Sequence, residues 1–325
     1  MRRPMRVLIT GGTGFVGKHL LDVIASSTTS LTLDGVIIAS RSVQETGYDV
    51  ETVTWDVTSD SVPNLHVDAV IHAAIPASAE LNARAPRVLF DQIVDGARRV
   101  IEFCAKQSVP PRLIFTSSGA VYGEMPAEIM AWTEDSHLAA DPLLAKNAYA
   151  SGKRAAEALF ALAGHEGVCR PTFARLFAFS GRHLPLDKHF ALGNFVRDAL
   201  EGGPIRVRGT GTAVRSYLDG DDMATWLLLA LSSEASVNKV IHVGSDHAIT
   251  ISELAQFVAD RAGIDPEAEE RVVIEGRATA IDGRDRYVPS TDFTRSLLGV
   301  TEVTALSESI DGMLHWGRQR GRLRA

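Results

Sequence analysis

The chain has little of several features that would point to other kinds of protein. It contains only two cysteines among 325 residues, Cys104 and Cys169, so it does not encode a disulfide framework. We interpret both as small apolar core residues and expect a reducing cytoplasm as the compartment. A surplus of basic residues is also missing, because 33 Lys and Arg face 40 Asp and Glu, for a net charge of −7. This balance argues against nucleic-acid binding, which needs an excess of positive charge to neutralise phosphates.

Long apolar runs are missing as well. No uninterrupted apolar stretch approaches the roughly 20 residues that a membrane-spanning helix needs. Residues 1–6 are basic but lead into a short apolar run and glycines, which is not the pattern of a signal peptide. We therefore expect neither membrane insertion nor export. With 45% apolar residues, the chain can bury a sizeable core in one large or two modest domains.

The first half of the chain alternates short β-branched runs with amphipathic helical patterns. The strands are predicted at residues 7–10, 36–39, 52–55, 69–72, 113–116 and 172–176. The helices between them are predicted at residues 14–25, 91–107 and 148–163. This alternation is typical of a doubly wound parallel sheet with helices on both faces, a Rossmann-type α/β fold.

Beyond residue 177 the alternation loosens, and glycine and proline punctuate the chain more often. We predict one domain over residues 1–177, to which the segment 214–235 returns, and a smaller, mixed α/β lobe over residues 178–325. Helices beyond residue 177 are predicted at residues 194–201, 221–231, 252–262 and 306–318. Strands in the same part of the chain are predicted at residues 205–208 and 240–244.

A glycine-rich turn joins the first predicted strand to the first helix. Gly11 suits a tight turn, Gly14 lets the backbone approach a pyrophosphate, and Gly17 lets the helix pack close to the sheet. The helix N-terminus then faces the phosphate charge. Because the glycines stand at a strand–helix junction, ordinary turn glycines are the weaker reading. The predicted contacts to a dinucleotide are Gly11, Thr13, Gly14, Phe15, Val16 and Gly17, which makes residues 1–177 the dinucleotide-binding domain.

The end of the second predicted strand bears on the choice between NAD and NADP. NAD-binding domains usually carry an acid there, which accepts a hydrogen bond from the adenosine 2′-hydroxyl. This chain has Ser40 and Arg41 instead. A guanidinium holds a phosphate through paired, charge-assisted hydrogen bonds. We therefore predict NADP(H), with Arg41 and Ser40 at the 2′-phosphate; the alternative for Arg41 is a solvated surface side chain.

Residues after the third and fourth predicted strands complete the predicted cofactor site. Asp56 is placed to accept from the adenine amino group and Val57 to cover the ring, although a turn or capping role fits Asp56 equally well. Ala73 and Ala74 are small enough to let the chain pass close to the cofactor. His72 is either a cofactor contact or a packed core histidine. We identify no metal-binding pattern.

Three residues in two segments carry the predicted chemistry. Tyr149 and Lys153 lie one helical turn apart, so their side chains share a face. A nearby cation is expected to lower the pKa of a phenol, which is otherwise about 10. Ser118 lies just after the fifth predicted strand, at the sheet edge where ligands of such folds bind. A Tyr and a Lys four residues apart also fit an ordinary helix surface, but their order after the glycine turn and Ser118 indicates an oxidoreductase.

Together these motifs resemble the extended short-chain dehydrogenase/reductase family of NAD(P)-dependent nucleotide-sugar epimerases, dehydratases and reductases. The resemblance covers nearly the whole chain and includes the segment 206–218. It implies that this segment lines the nucleotide of an NDP-sugar and that Arg215 binds the pyrophosphate, a role that suits a guanidinium. Asn194 and Arg286 stand at positions where members of the family have further substrate contacts. Ser118 stands where they have a hydroxyl that binds the reacting sugar. The resemblance also implies a homodimer.

Departures from the family pattern narrow the expected reaction. The 4,6-dehydratases of the family carry an Asp-Glu pair directly after the catalytic hydroxyl, whereas this chain has Gly119-Ala120. Neither residue supplies an acid or a base, so we do not expect dehydration. Ala178 stands where the family often has an Asn that contacts phosphate. The 4-epimerases retain NAD, whereas Arg41 indicates an exchangeable NADPH, which favours net reduction.

The loop 181–190 resembles loops of the subgroup that reduces dTDP- or CDP-linked 4-keto-6-deoxyhexoses, although it also fits an ordinary connection. The leading hypothesis is therefore NADPH-dependent reduction of the 4-keto group of an NDP-4-keto-6-deoxyhexose. In it Tyr149 protonates the nascent alkoxide, Ser118 donates to the same oxygen, and Lys153 orients the ribose. One alternative is an NAD-dependent nucleotide-sugar epimerase with the same three residues. Another is a non-catalytic NADP-binding regulator, which has no need of a proton donor.

Overall fold

The computed structural model describes residues 4–26, 32–42, 47–58, 61–74, 78–265, 267, 270–276 and 285–322. Its strands are β1 Met5–Thr10, β2 Leu33–Ser40, β3 Glu51–Thr54, β4 Ala69–His72, β5 Arg112–Ser118, β6 Arg170–Leu176, β7 Phe179–Ser180, β8 Ile205–Val207, β9 Val214–Arg215, β10 Leu218–Asp219, β11 Val240–Val243, β12 Ile249–Thr250, β13 Val272–Ile274 and β14 Arg286–Tyr287. Its α-helices are α1 Phe15–Ala25, α2 Ala79–Arg84, α3 Pro86–Ala105, α4 Ala148–His165, α5 Ala191–Leu200, α6 Gly220–Ser232, α7 Ile251–Ala262, α8 Asp292–Leu298 and α9 Leu306–Arg322. Single 3₁₀ turns lie at Gly119–Tyr122, Ala145–Asn147 and Glu234–Ser236.

Seven parallel strands form the main sheet in the order β11-β6-β5-β4-β1-β2-β3. The chain leaves β1 in one direction through β2 and β3 and then in the other through β4 to β6, so the predicted doubly wound fold is confirmed. The strands between helices are buried on both faces; in β5 every residue from Arg112 to Ser118 is buried. This double burial explains why the strands read as continuous apolar runs in the sequence.

Each face of the main sheet is covered by a separate pair of helices. Helices α1 and α6 pack together on one face, in a core that includes Leu20 and Trp226. Helices α3 and α4 pack together on the other, where Phe103 and Phe160 are fully buried. The apolar faces of these helices pack on the sheet, in which β5, β4 and β1 are neighbours. The carboxyl ends of these three strands form the edge of the sheet that positions the candidate site.

A smaller lobe packs around a core of its own. Helices α5, α7 and α9 enclose side chains that include Leu192, Val258 and Ile310. Short strands pair beside them as β8 with β13 and as β12-β9-β14, while β7 pairs with β10. Most of these strands have only two or three residues, too few to show a period in the sequence.

The strand predicted at residues 240–244 lies beyond residue 177 in the chain but belongs to the main sheet. There β11 pairs with β6 at the edge of the sheet, with Ile241 opposite Ala174. Ile241 and Val243 are fully buried there. The sequence pattern predicts this strand, but periodicity within a strand does not identify the sheet that it joins.

Within the described part of the chain, no helix has both the length and the apolar character required to span a bilayer.

Candidate functional site

The turn between β1 and α1 leaves no room for side chains. Gly11 has a φ of +75°, and a Cβ on it would lie 2.5 Å from the carbonyl oxygen of Ala73. A Cβ on Gly17 would lie 2.4 Å from the Cα of Gly12. Larger residues at either position would push α1 away from the sheet. The turn therefore borders Ala73 and Ala74, two of the predicted cofactor contacts.

The N-terminus of α1 is free to meet an anion. Gly14 is its N-cap and is exposed, and among the described residues no side chain caps the helix and no acid lies in its first turn. Thr13, Phe15 and Val16 are partly exposed around it. The uncapped amide N–H groups and the positive end of the helix dipole suit a phosphate. The residues at this turn thus fit the pyrophosphate of a dinucleotide.

Ser40 and Arg41 lie beside this turn, because the N–H of Gly11 donates to the carbonyl of Ala39 in the adjacent strand (3.1 Å). The Ser40 hydroxyl donates to the carbonyl of Ser42 at 2.5 Å. Arg41 is exposed directly after β2. Its guanidinium is thus available to an anion bound next to the glycine turn.

Asp56 and His72 both have structural partners. Asp56 accepts from the backbone N–H and the hydroxyl of Thr58, at 2.9 and 2.8 Å, and so closes a turn, while Val57 is buried. The Nδ1 of His72 lies 2.8 Å from the hydroxyl of Thr10. Burial lowers the pKa of His72 to about 3, so its ring is neutral and belongs to the core.

Ser118 ends β5 and begins the 3₁₀ turn Gly119–Tyr122. Its hydroxyl accepts from the N–H of Ala120 at 3.2 Å and caps that turn. The serine is only 7% exposed. Its second lone pair and its single hydrogen remain for other partners.

Tyr149 and Lys153 lie in the first turns of α4. The N–H of Tyr149 donates to the side-chain oxygen of Asn82 at 3.1 Å, so α2 supplies an acceptor for the start of α4. The ammonium of Lys153 donates to the carbonyl of Thr116 at 2.7 Å and lies 5.7 Å from the centre of the Tyr149 ring. The Tyr149 phenol in turn interacts with the Ser118 hydroxyl. The structure therefore brings the three predicted catalytic residues together.

The protonation of this group differs from the sequence-based expectation. Burial raises the pKa of Tyr149 to about 12, against a lowering contribution from its hydrogen bond with Ser118. Burial lowers the pKa of Lys153 to about 7, although the charge of Glu157 acts in the opposite direction. The ammonium does not lower the phenol pKa because it points to the carbonyl of Thr116 and is itself weakened by burial. At neutral pH Tyr149 is protonated, as a proton donor must be.

A cavity of about 460 Å³ opens beside Tyr149. Its lining residues are Ser78, Ala79, Asn82, Ala120, Gly123, Glu124, Lys146, Asn147, Tyr149, Ala150, His189 and Tyr287. The size is within the roughly 300–1,000 Å³ of small-molecule sites. Lys146 pairs with Glu124 at 2.8 Å, so opposite charges lie together in the cavity wall. Ala120 offers only a methyl group where a dehydratase of the family has a carboxylate.

Tyr287 lines the same cavity and was missed by the sequence analysis. Its hydroxyl lies 3.3 Å from that of Ser118 and donates to the carbonyl of Leu176 at 3.2 Å. The only signal in the sequence was its place next to Arg286, which the resemblance had marked as a substrate contact.

The predicted nucleotide contacts are brought together in part. Strand β9 pairs with β14 and places Tyr287 opposite Arg215. Arg215 donates to the carboxylate of Asp285 at 2.7 Å and to its carbonyl at 3.0 Å, while Arg286 donates to the carbonyl of Met130 at 2.5 Å. Asn194 lies apart, in α5, where it accepts from Arg197 at 3.3 Å.

The sequence profile of the NAD dependent epimerase/dehydratase family matches residues 7–244, most of the chain. The chain belongs to this family. The match spans the glycine turn, Ser118, Tyr149 and Lys153. The predicted family, and with it an NAD(P)-dependent enzyme of the extended short-chain dehydrogenase/reductase type, is confirmed.

Individual proteins of this family resemble the chain over almost its full length. UDP-glucuronic acid decarboxylase 2 of Arabidopsis thaliana is 28% identical over 324 residues, which are 98% of this chain and 69% of that protein. The dTDP-glucose 4,6-dehydratase DesIV of Streptomyces venezuelae, solved with NAD, has a TM-score of 0.83, 22% identity and 98% coverage of both chains. RMD from Pseudomonas aeruginosa, complexed with NADPH, has a TM-score of 0.78 and 23% identity, with 97% of this chain and 100% of that chain covered. The two structures share the fold of this chain.

Proposed function

We propose that this protein reduces the 4-keto group of an NDP-4-keto-6-deoxyhexose with NADPH. The observation that carries the proposal is the phenol of Tyr149, which lines the 460 Å³ cavity and has a pKa of about 12. Reduction of a ketone needs a group that is protonated at neutral pH and can give its proton to the forming alkoxide. Gly119 and Ala120 offer no carboxylate for the elimination that a dehydratase performs.

Each residue of the trio has a separate task. A reduced nicotinamide supplies a hydride when it is bound. Ser118 donates its hydrogen to the keto oxygen and thereby stabilises the developing negative charge. Tyr149 transfers its proton to the same oxygen. Lys153, whose buried ammonium already donates to a carbonyl oxygen, holds the hydroxyls of the nicotinamide ribose.

In this proposal the glycine turn would hold the dinucleotide. Gly11, Thr13, Gly14, Phe15, Val16 and Gly17 hold the pyrophosphate at the uncapped end of α1. Arg41 and Ser40 bind the 2′-phosphate, which selects NADP(H) over NAD. Asp56 and Val57 would contact the adenine, and Ala73 and Ala74 would leave room for the cofactor. RMD was solved with NADPH and DesIV with NAD, so the fold accommodates either cofactor and the choice here rests on Ser40 and Arg41.

The nucleotide sugar enters from the smaller lobe. Arg215 exchanges its bonds with Asp285 for bonds with the substrate pyrophosphate, and Arg286 on the paired strand adds a second positive charge. Asn194 contributes a weaker contact from α5. By family likeness we expect the protein to be a homodimer.

The second candidate is an NAD-dependent nucleotide-sugar epimerase, which the family match favours and which uses the same Ser118, Tyr149 and Lys153. A non-catalytic NADP-binding regulator is the third candidate, and the complete trio beside a cavity counts against it.

The test is turnover with a panel of dTDP-, CDP- and UDP-linked 4-keto-6-deoxyhexoses and either NADPH or NADH. We expect loss of nicotinamide absorbance with NADPH, a 4-hydroxy sugar as product, and a fall in the NADPH/NADH preference of about 10-fold or more in Arg41→Ala, as for the loss of a charge-assisted phosphate contact. Copurifying oxidised NAD without net consumption of NADPH would instead establish the epimerase. Nucleotide binding without any turnover would establish the regulator.

A further inference from the structure

A second phenol stands next to the serine of the candidate site. The hydroxyl of Tyr287 lies 3.3 Å from the hydroxyl of Ser118, and the two residues are 169 positions apart in the chain. Tyr287 also lines the cavity beside Tyr149. Ser118 therefore interacts with two phenols that line the cavity, Tyr149 and Tyr287, and the trio inferred from the sequence includes only the first of them.

The hydrogens of this group can be counted. Tyr287 donates its single hydrogen to the carbonyl of Leu176 at 3.2 Å. The oxygen of Ser118 accepts from the N–H of Ala120 at 3.2 Å. With the Tyr287 hydrogen on Leu176, the Ser118–Tyr287 contact uses the hydrogen of Ser118, and the Ser118–Tyr149 contact then uses the hydrogen of Tyr149.

The phenol is held in this place by its surroundings. The Tyr287 ring packs on Phe177 with ring centres 4.8 Å apart. A Cβ on Gly119 would lie 2.9 Å from the Tyr287 oxygen and 2.6 Å from the Phe177 ring. Gly119 follows Ser118 directly, at the position where the dehydratases carry an acid. The Tyr287 phenol can therefore reach Ser118 only because residue 119 is a glycine.

We propose that Tyr287 is a positioning residue that aims the Ser118 hydroxyl at the substrate oxygen, an inference that rests on the proposed function. When the keto oxygen arrives, the Tyr287 hydrogen turns from the carbonyl of Leu176 to the oxygen of Ser118. That oxygen then accepts from both Tyr287 and Ala120, and its only hydrogen is left for the substrate. No atom is exchanged in this step; two hydroxyl groups rotate.

The chemistry of Tyr287 suits this task. Burial raises the pKa of its phenol well above the ordinary range, so the hydroxyl keeps its hydrogen at every pH at which the enzyme would work. A chain of hydroxyls also strengthens its terminal donor, because each hydrogen bond polarises the next. Ser118 in such a chain is a better donor to the developing alkoxide than an isolated serine.

The test is a double-mutant cycle on turnover with the ketose that the wild type reduces. Tyr287→Phe retains the ring and its packing on Phe177 and removes only the hydroxyl. We expect it to lower kcat by about 10-fold, the effect of losing one oriented hydrogen bond, with little change in the KM for NADPH. In a Ser118→Ala background the same substitution should lower kcat by less than about 2-fold, because no serine is left to position.

Further variants separate the possible outcomes. Tyr48→Phe removes a phenol hydroxyl that bonds Asp22, away from the cavity, and should retain the kcat of the wild type. An equal loss from Tyr287→Phe in both backgrounds, or no loss in either, would overturn the inference. Tyr149→Phe tests the proposed function separately. If that variant keeps normal turnover, the proposed function is wrong. If it loses turnover while the effects of Tyr287→Phe and Ser118→Ala are additive, only the role of Tyr287 is wrong.

Discussion

Two polar clusters beside the main sheet differ in how far their charges are satisfied. The cavity cluster comprises Ser118, Tyr149, Lys153 and Tyr287. The α1 cluster comprises His19, Asp22, Arg182, His183 and Asp221. In the cavity cluster the one cation donates to a carbonyl oxygen, and the other members are neutral hydroxyls.

In the α1 cluster each cation or imidazole meets a carboxylate. Arg182 donates to Asp221 at 2.8 Å and to Asp22 at 2.9 Å. His19 lies 2.6 Å from Asp221, and His183 lies 2.7 Å from Asp22. Three carboxylate and imidazole groups there have the spacing of metal ligands, but Arg182 already supplies the positive charge between the two acids. The difference teaches that this fold pairs charge with opposite charge where it needs stability, and holds a buried ammonium on a carbonyl oxygen among neutral hydroxyls where it needs chemistry.

The largest effect is expected from a substitution in the cavity cluster. Tyr149→Phe should lower kcat by about 10²-fold to 10⁴-fold, because the variant lacks the group that transfers its proton to the forming alkoxide. Its unfolding midpoint should stay near that of the wild type, since the ring and its packing remain. Steady-state kinetics and urea denaturation on the same samples measure both. Normal turnover in this variant would remove the assigned role.

The next largest effect is expected from a substitution in the α1 cluster, which should lower stability and leave turnover nearly unchanged. Arg182→Met leaves Asp22 and Asp221 facing each other without their shared cation, and should destabilise the fold by about 1–3 kcal/mol after allowing for the partial exposure of Arg182. Turnover at 25 °C should stay within about twofold, because no member of this cluster lines the cavity. Arg84→Met, which breaks only an exposed pair with Glu80, is the matched control and should leave stability unchanged. A loss of kcat without a loss of stability would contradict the comparison.

The smallest effect concerns the stability cost of the buried ammonium. Lys153 has a pKa of about 7 in the folded protein, below its ordinary 10.5, so between these values the unfolded chain holds a proton that the folded chain lacks. The wild type therefore gains stability from this group as the pH rises from 7 to 10.5 and loses it as the pH falls. Lys153→Met should be inactive but more stable than the wild type by about 1 kcal/mol or more at pH 6.

This difference in stability should shrink toward pH 10, where the wild-type lysine is neutral in the folded state. Urea titrations of both proteins at pH 6, 8 and 10 measure it. Lys106→Met, on the exposed end of α3, serves as the control and should show the same pH dependence as the wild type. A Lys153→Met variant that is less stable than the wild type at pH 6 would show that the hydrogen bond to Thr116 outweighs the cost of burial.

Local features of this chain were predictable and long-range ones were not. Each local feature involves only a few consecutive positions of the sequence. These features are the glycine turn, Ser118 at a strand end, and Tyr149 four residues before Lys153. The meeting of Tyr287 with Ser118 joins positions 169 apart, and that of Arg182 with Asp22 joins positions 160 apart. Neither has a period or motif, because only the packing of the lobes creates it. The direction of the Tyr149 pKa was missed for the same reason, since it depends on burial by distant segments.

The most direct test of the account follows a label from cofactor to sugar. The protein is incubated with NADPH that carries deuterium at the transferable C4 position and with an NDP-4-keto-6-deoxyhexose, and the product is examined by NMR and mass spectrometry. The account predicts one deuterium on C4 of the product sugar for the wild type and almost none for Tyr149→Phe. A product without deuterium at C4, or equal labelling by both proteins, would contradict it.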